Sequence, residues 1–114
     1  MARAGTGLPV GFALLESRGR DACLEELDVD PAYGRRGLGR RLVEAVRDAA
    51  RERGHRRLVL TTFRDVAWNA PFYLRLGFTV VAVGELDPGL QALRRKDEEA
   101  GLDLARRVVM TLDL

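Results

Sequence analysis

Apolar and polar positions along the chain fall into short blocks of two distinct periods. Val10 to Glu16 and Ala22 to Val29 are apolar or β-branched runs separated by Ser17-Arg18-Gly19-Arg20-Asp21, a pattern that predicts two strands joined as a hairpin. From Leu38 the apolar positions Leu42, Ala45, Val46 and Ala49 recur at three- and four-residue spacing with Arg, Glu and Asp between them, predicting a helix from Gly37 to Arg53. Gly54 stands where a left-handed C-terminal cap belongs, and Leu58 to Phe63 reads as a short buried strand. Asn69 is placed to cap a short helix with Pro71 in its first turn, running out near Gly77 and followed by a strand from Phe78 to Val83. Leu86, Leu90 and Leu93 predict a helix that dissolves into the charged run Arg94 to Glu99, and Val108 to Leu112 reads as a final strand.

In this order the central strand, helix and strand must form a parallel crossover, so the fold class is α/β, an α+β arrangement on one mixed sheet. At 114 residues the chain is expected to form a single domain, with a short segment over 1–9, a core over 10–83 and a C-terminal helix and strand over 84–114. No apolar run approaches the roughly 18 residues of a membrane-spanning helix, and the first residues do not resemble a secretory signal. A cytoplasmic location without a membrane partner is the expectation. Cys23 and His55, each the sole residue of its type, leave no His/Cys cluster for a metal.

The formal net charge of +2 is too slight to imply a nucleic-acid partner. Between Gly34 and Arg57, however, nine arginines face three acids, Glu44, Asp48 and Glu52, and this stretch could hold a polyanion. It carries no aromatic residue to stack on bases, which ranks nucleic-acid binding last. Within it, Gly34-Arg35-Arg36-Gly37-Leu38-Gly39 falls at the junction of strand and helix. Glycines there let backbone approach a ligand closely, and the first unpaired amides of the helix, with its dipole, favour an anion such as pyrophosphate. The turn lacks the Gly-Lys-Ser/Thr ending of a P-loop and the glycine spacing of a dinucleotide fold. A plain loop of turn residues is the alternative.

Leu27-Asp28-Val29-Asp30-Pro31 leading into Gly37-Leu38-Gly39, followed by Asn69-Ala70-Pro71-Phe72-Tyr73-Leu74-Arg75-Leu76-Gly77-Phe78, resembles the GCN5-related N-acetyltransferase (GNAT) family in the order and spacing of two motifs. The resemblance runs from about Val10 to Val83. It implies an acyl-CoA N-acyltransferase fold and transfer of an acetyl group from acetyl-CoA to a primary amine of a small molecule or peptide. It also implies that the pantetheine arm meets backbone groups of Leu27, Asp28 and Val29. The pyrophosphate would rest on the amides of Arg35, Arg36, Gly37, Leu38 and Gly39, with Arg40 or Arg41 in reach and Asn69 on the cofactor side. Where the family usually opens this turn with Gln or Arg, this chain has Gly34, which removes a side-chain contact and leaves the backbone cradle.

Acetyl transfer needs a neutral amine, a polarised carbonyl and a proton for the departing thiolate. Tyr73 matches the family tyrosine beside the cofactor sulfur, so the resemblance makes it the candidate acid; packing of an aromatic against the sheet is its structural alternative. Glu25 and Glu26 interrupt an apolar strand, where alternation sends them to opposite faces unless a bulge intervenes. The Leu-Glu-acid order resembles polyamine-acetylating members and points to Glu25 as base, with burial expected to raise its pKa. Both acids could instead pair with arginines. Arg64, Asp65 and Trp68 follow the strand Leu58 to Phe63, near where an acceptor would enter, and Trp68 could equally pack onto Tyr73 as a hydrophobic staple. Cys23 reads as a small buried residue.

Members of the family ordinarily carry a strand, one or two helices and another strand before the hairpin, whereas here about nine residues precede Val10. The domain is therefore expected to be N-terminally shortened. Either the recorded start is internal to a longer protein, or the domain is degenerate, or a second subunit completes the cleft through an exposed sheet edge as a homodimer. The tail from Glu85 to Leu114 could fold back as acceptor wall. A catalytically idle CoA-binding or protein-interaction module is the alternative function.

Overall fold

The computed structural model describes residues 2–3, 9–29, 37–67 and 69–114. They fall into two compact units, Met1–Leu58 with Leu114 and Val59–Asp113. In the first unit β1 (Ala2–Arg3), β2 (Pro9–Arg18) and β3 (Asp21–Val29) lie in that order, each antiparallel to the next. The hairpin is tighter than the sequence suggests: Arg18 pairs with Asp21, so only Gly19 and Arg20 form the turn. The helix α1 (Leu38–Glu52) packs on β2 and β3.

The face that α1 buries is shifted from the expected one. Leu42, Val43 and Ala50 are buried and Val46 and Ala49 half-buried, whereas Ala45 is exposed. At about 100° per residue the stripe centres on Val46 and leaves Ala45 a quarter-turn or more away. Gly54 closes the helix as predicted, its N–H donating to Arg51 O and that of His55 to Ala50 O.

Asp21, 7% exposed, anchors the base of this unit. Its carboxylate accepts from Arg56 Nε at 2.9 Å and from Arg57 Nε and Nη2, both at 3.0 Å. Burial alone would raise its pKa, but the two guanidinium groups outweigh burial and hold the carboxyl below its ordinary value of 3.8. The folded state thus binds this proton more weakly than the unfolded chain. The stabilisation is complete above about pH 4 and is lost as pH falls through the lower folded value. Asp21→Ala is expected to cost about 2 kcal/mol in urea denaturation at pH 7, less than a fully buried pair because one partner can rehydrate. That partner is Arg56, whose side chain is 51% exposed. The difference from the unmodified chain should shrink below pH 4; a loss under about 0.5 kcal/mol would make this an ordinary surface cluster.

The second unit begins within β4 (Arg57–Phe63), whose Leu58, Val59 and Leu60 form the buried run expected of an interior strand. There follow α2 (Ala70–Arg75), β5 (Thr79–Val81), α3 (Pro88–Glu99) and β6 (Arg107–Asp113), with strand order β4-β6-β5 and β5 antiparallel to β6. The strand expected over Phe78 to Val83 is only three residues long. Phe78 is taken up in closing α2, and Val83 opens a short 3-10 turn that ends at Glu85.

The charged run does not dissolve α3. The helix continues to Glu99, started by Asp87, whose carboxylate accepts from Leu90 N at 3.0 Å, and seated by buried Leu90 and Leu93. Arg, Lys and Glu are good helix formers, so the run costs little. Its Asp97 is also fixed: Oδ2 accepts from Arg107 Nε at 3.0 Å, both side chains being 13% exposed.

Candidate active site

In the first unit the glycine junction is built by α1 itself. Gly37 occupies the N-cap with φ 74°, a left-handed conformation that residues with a Cβ rarely adopt. Among the described residues no side chain caps this end; no acid lies in the first turn, and the first helical bond runs from Arg41 N to Gly37 O. The amides of Leu38, Gly39 and Arg40 therefore stand at the positive end of a 15-residue helix without an intrahelical acceptor. Arg40 lies in this turn and donates from Nε to Glu44 Oε1 at 3.1 Å, an exposed pair that leaves the guanidinium at the surface. Arg35 and Arg36 lie outside the described residues, as does Trp68 with its expected staple.

Along β3 the backbone of Leu27, Asp28 and Val29 pairs with Ala13, Phe12 and Gly11 of β2. In an antiparallel ladder alternate residues direct both backbone groups away from the partner, so part of this segment presents donors and acceptors to the edge away from β2. The ladder breaks between Leu14, opposite Glu26, and Leu15, opposite Leu24. Glu25 has no opposite number: it is the extra residue of a β-bulge, the interruption of alternation that adjacent glutamates permit. Contrary to the sequence expectation, Glu25 is exposed and not buried. The bulge lifts it from the regular pleat. Its carboxylate meets the thiol of Cys23, two positions earlier and 2% exposed; burial first, then the charge and hydrogen bond of Glu25, push this thiol up to about 12. Cys23 is thus a protonated donor to Glu25, a contact that sequence reading missed.

In the second unit α2 presents Tyr73, 8% exposed, between two aromatic neighbours in edge-to-face contact, Phe72 at 5.2 Å and Phe78 at 5.3 Å. The placement of Phe78 follows from how the helix ends. Gly77, at φ 97°, donates to Leu74 O and Phe78 donates to Tyr73 O, the paired bonds that turn the chain back and bring Phe78 onto Tyr73. Burial pushes the Tyr73 phenol up to about 12. Asn69 sits at the N-cap as predicted but does not cap. Its Oδ1 accepts from Thr62 Oγ1 at 3.0 Å, tying the start of α2 to β4, and only its carbonyl receives the first helical bond, from Tyr73 N.

A bulged strand carrying an acid, a helix start behind a left-handed glycine, and a buried tyrosine on a short Pro-containing helix now stand in one chain in that order. The family model of the Acetyltransferase (GNAT) family matches residues 2–78. The chain belongs to the GNAT family. Solved GNAT structures share its mixed α+β fold. An acetyltransferase of the family from Staphylococcus aureus Mu50 matches with TM-score 0.74 and 18% identity over 98% of this chain and 64% of its own. The ribosomal-protein-S18-alanine N-acetyltransferase from Escherichia coli matches with TM-score 0.64 and 24% identity over 91% of this chain and 61% of its own. The PaiA N-acetyltransferase from Thermoplasma acidophilum, in complex with coenzyme A, matches with TM-score 0.65 and 19% identity over 92% of this chain and 54% of its own. The chain spans less than two thirds of the length of each of these three. Among its described residues no helix is long and apolar enough to cross a membrane.

Proposed function

We propose that this chain moves an acetyl group from acetyl-CoA to a primary amine, acting as a single domain. The observation that carries the reading is the uncapped, acid-free start of α1 behind Gly37, in a chain of the GNAT family. The residues fit a CoA pyrophosphate. Unpaired amides and the helix dipole favour an anion there, and the left-handed N-cap is one a glycine adopts without strain. Leu38, Gly39 and Arg40 would donate to it, and backbone groups of Leu27 to Val29 would hold the amide-bearing arm. When bound, acetyl-CoA supplies the activated acyl carbon. The thioester C–S bond is exchanged for an amide C–N bond, while the ammonium group of the acceptor gives up its protons in becoming a neutral nucleophile and then an amide.

Tyr73 is the proton donor facing the leaving sulfur in this reading. With its pKa at about 12 it remains protonated throughout neutral pH. Complete transfer to a thiolate of ordinary pKa, about 8.5, is uphill, so its contribution is a hydrogen bond to charge developing on sulfur. Glu25 receives a proton from the acceptor. Being exposed, it competes with water for that role, so Glu25→Gln is expected to lower kcat/KM about tenfold, below the usual yield of a buried base. Glu26→Gln is the control. The plateau of the rate against pH should fall with the first substitution and not the second. Damage from Glu26→Gln alone would exchange the roles, and no effect from either would give the deprotonation to water. Calorimetry with coenzyme A tests the binding half of the reading: a folded chain without binding at millimolar ligand would sink it. Binding without turnover on any amine would leave a CoA-binding module.

A further inference from the structure

The second unit contains a cavity of about 260 Å³ that the reading above does not use, lined by three arginines, Arg64, Arg94 and Arg107, against apolar walls that include Val81, Leu86 and Val108. The three guanidinium groups are in different states. Arg107 is committed to the fold: Nε donates to Asp97, Nη2 donates to Thr61 Oγ1 at 3.0 Å, and its Cζ lies 4.9 Å over the Phe63 ring. Among the described residues the Arg64 side chain has one surface contact, 3.6 Å to Asp65, with both side chains more than half exposed. Arg94 is half-buried on α3 and makes no ion pair or hydrogen bond among the described residues. A guanidinium without a protein partner at a cavity wall can take an anion, and its planar fork matches a carboxylate.

The cavity is lined where β5 ends, where β6 begins and where the chain leaves β4 at Arg64. Arg64 directly follows Phe63, the last residue of β4, and its N–H donates to Arg106 O at 2.9 Å. The same loop leads to Asn69 and α2, on which Tyr73 sits. We propose that this cavity takes the carboxylate end of the acceptor: Arg94, assisted by Arg64, clamps the carboxylate of an amino-acid-like amine while the valine and leucine walls receive its apolar side chain. This rests on the proposed acetyl transfer.

Two measurements separate the failure of one idea from failure of the other. In the first, leucine and leucinamide are titrated without acetyl-CoA, and the Nε–H resonances of the arginines are followed by NMR. Leucine should shift the Arg94 and Arg64 resonances, leucinamide should bind about tenfold more weakly, and Arg94→Gln should weaken leucine at least about tenfold, as loss of a charge-assisted fork implies. Arg95→Gln, which removes the same charge from an exposed neighbour, should bind as the unmodified chain does. Equal binding of the two probes, or no leucine binding at tens of millimolar, or an unaffected Arg94→Gln, would overturn the site. In the second, acetylation rates are compared for leucine, leucinamide and 3-methylbutylamine. A preference for leucine in kcat/KM that drops about tenfold in Arg94→Gln supports the proposal, and equal rates for all three sink it while leaving acetyl transfer intact. Leucine binding as predicted, with no amine acetylated, would instead remove the transferase reading and with it the role of the bound carboxylate as acceptor.

Discussion

Gly39→Glu is expected to weaken coenzyme A binding by a hundredfold or more while the chain remains folded. The first turn of α1 holds no acid and, among the described residues, no side-chain cap, so its amides and half-charge face no competing group there. A glutamate at this position satisfies the helix end from within the chain. It lies on the favourable side of the dipole, so folding should be unchanged or improved by a few tenths of a kcal/mol. For two phosphates the same carboxylate is a like charge at contact distance. Losing two charge-assisted hydrogen bonds, each worth about 1.5 to 3 kcal/mol, gives at least the stated factor. Gly37→Val acts differently. Among the described residues, chain neighbours aside, a Cβ at Gly37 would meet nothing within 4 Å, so the obstacle is the left-handed backbone at φ 74°. That strain costs on the order of 1 to 2 kcal/mol and should appear in stability as well as in binding. Calorimetry with coenzyme A, paired with urea denaturation of both variants, reads the two effects apart. Undiminished binding by folded Gly39→Glu would take the pyrophosphate away from this turn.

The parts of this fold that were legible in the sequence are those set by a local period or a turn residue. The hairpin, α1 and its closing Gly54, the buried β4 and the short Pro-containing α2 all appear close to their expected limits. Two of the departures trace to side-chain contacts seven to ten residues away. The run Arg94 to Glu99 looks too polar to persist as a helix, yet Asp97 is held by Arg107, ten residues on, and Leu90 and Leu93 seat the preceding turn. Asn69 has the composition of a cap, but Thr62 on β4 competes for its side chain. At the candidate site, adjacent glutamates in a strand signalled that alternation must fail for one of them, though not that the bulge would expose Glu25 beside the Cys23 thiol. Arg94 was hidden among 18 arginines. Arg94 follows Leu90 by four residues, on the face of the leucines, and is half-buried where Arg95 is exposed, but that spacing gives no sign of a cavity beside it.

Tyr73→Phe should lower kcat toward a hundredfold, leave the dissociation constant of coenzyme A within about twofold, and leave the fold intact. The ring is what packs: its contacts with Phe72 and Phe78 are edge-to-face arrangements of carbon atoms, and phenylalanine retains them. Among the described residues no hydrogen bond from the Tyr73 hydroxyl is made, so removing it strands no buried partner, and stability should change by less than about 1 kcal/mol. The rate carries the effect. A phenol at about 12 keeps its proton in the resting chain, so its value lies in donating toward sulfur as negative charge develops. One such bond to a charged acceptor is worth about 1.5 to 3 kcal/mol, a factor of roughly ten to a hundred and fifty. Interactions realised only in the transition state fall on kcat and not on ground-state binding, which is what separates this role from packing. The pH profile supplies a further discriminator. Because the phenol is protonated over the whole accessible range, no limb of the wild-type profile near neutrality belongs to Tyr73, and Tyr73→Phe should lower the curve without changing its shape. A lost limb in the variant would show that this phenol titrates much lower when ligand is bound, and an unchanged kcat would assign Tyr73 to packing alone.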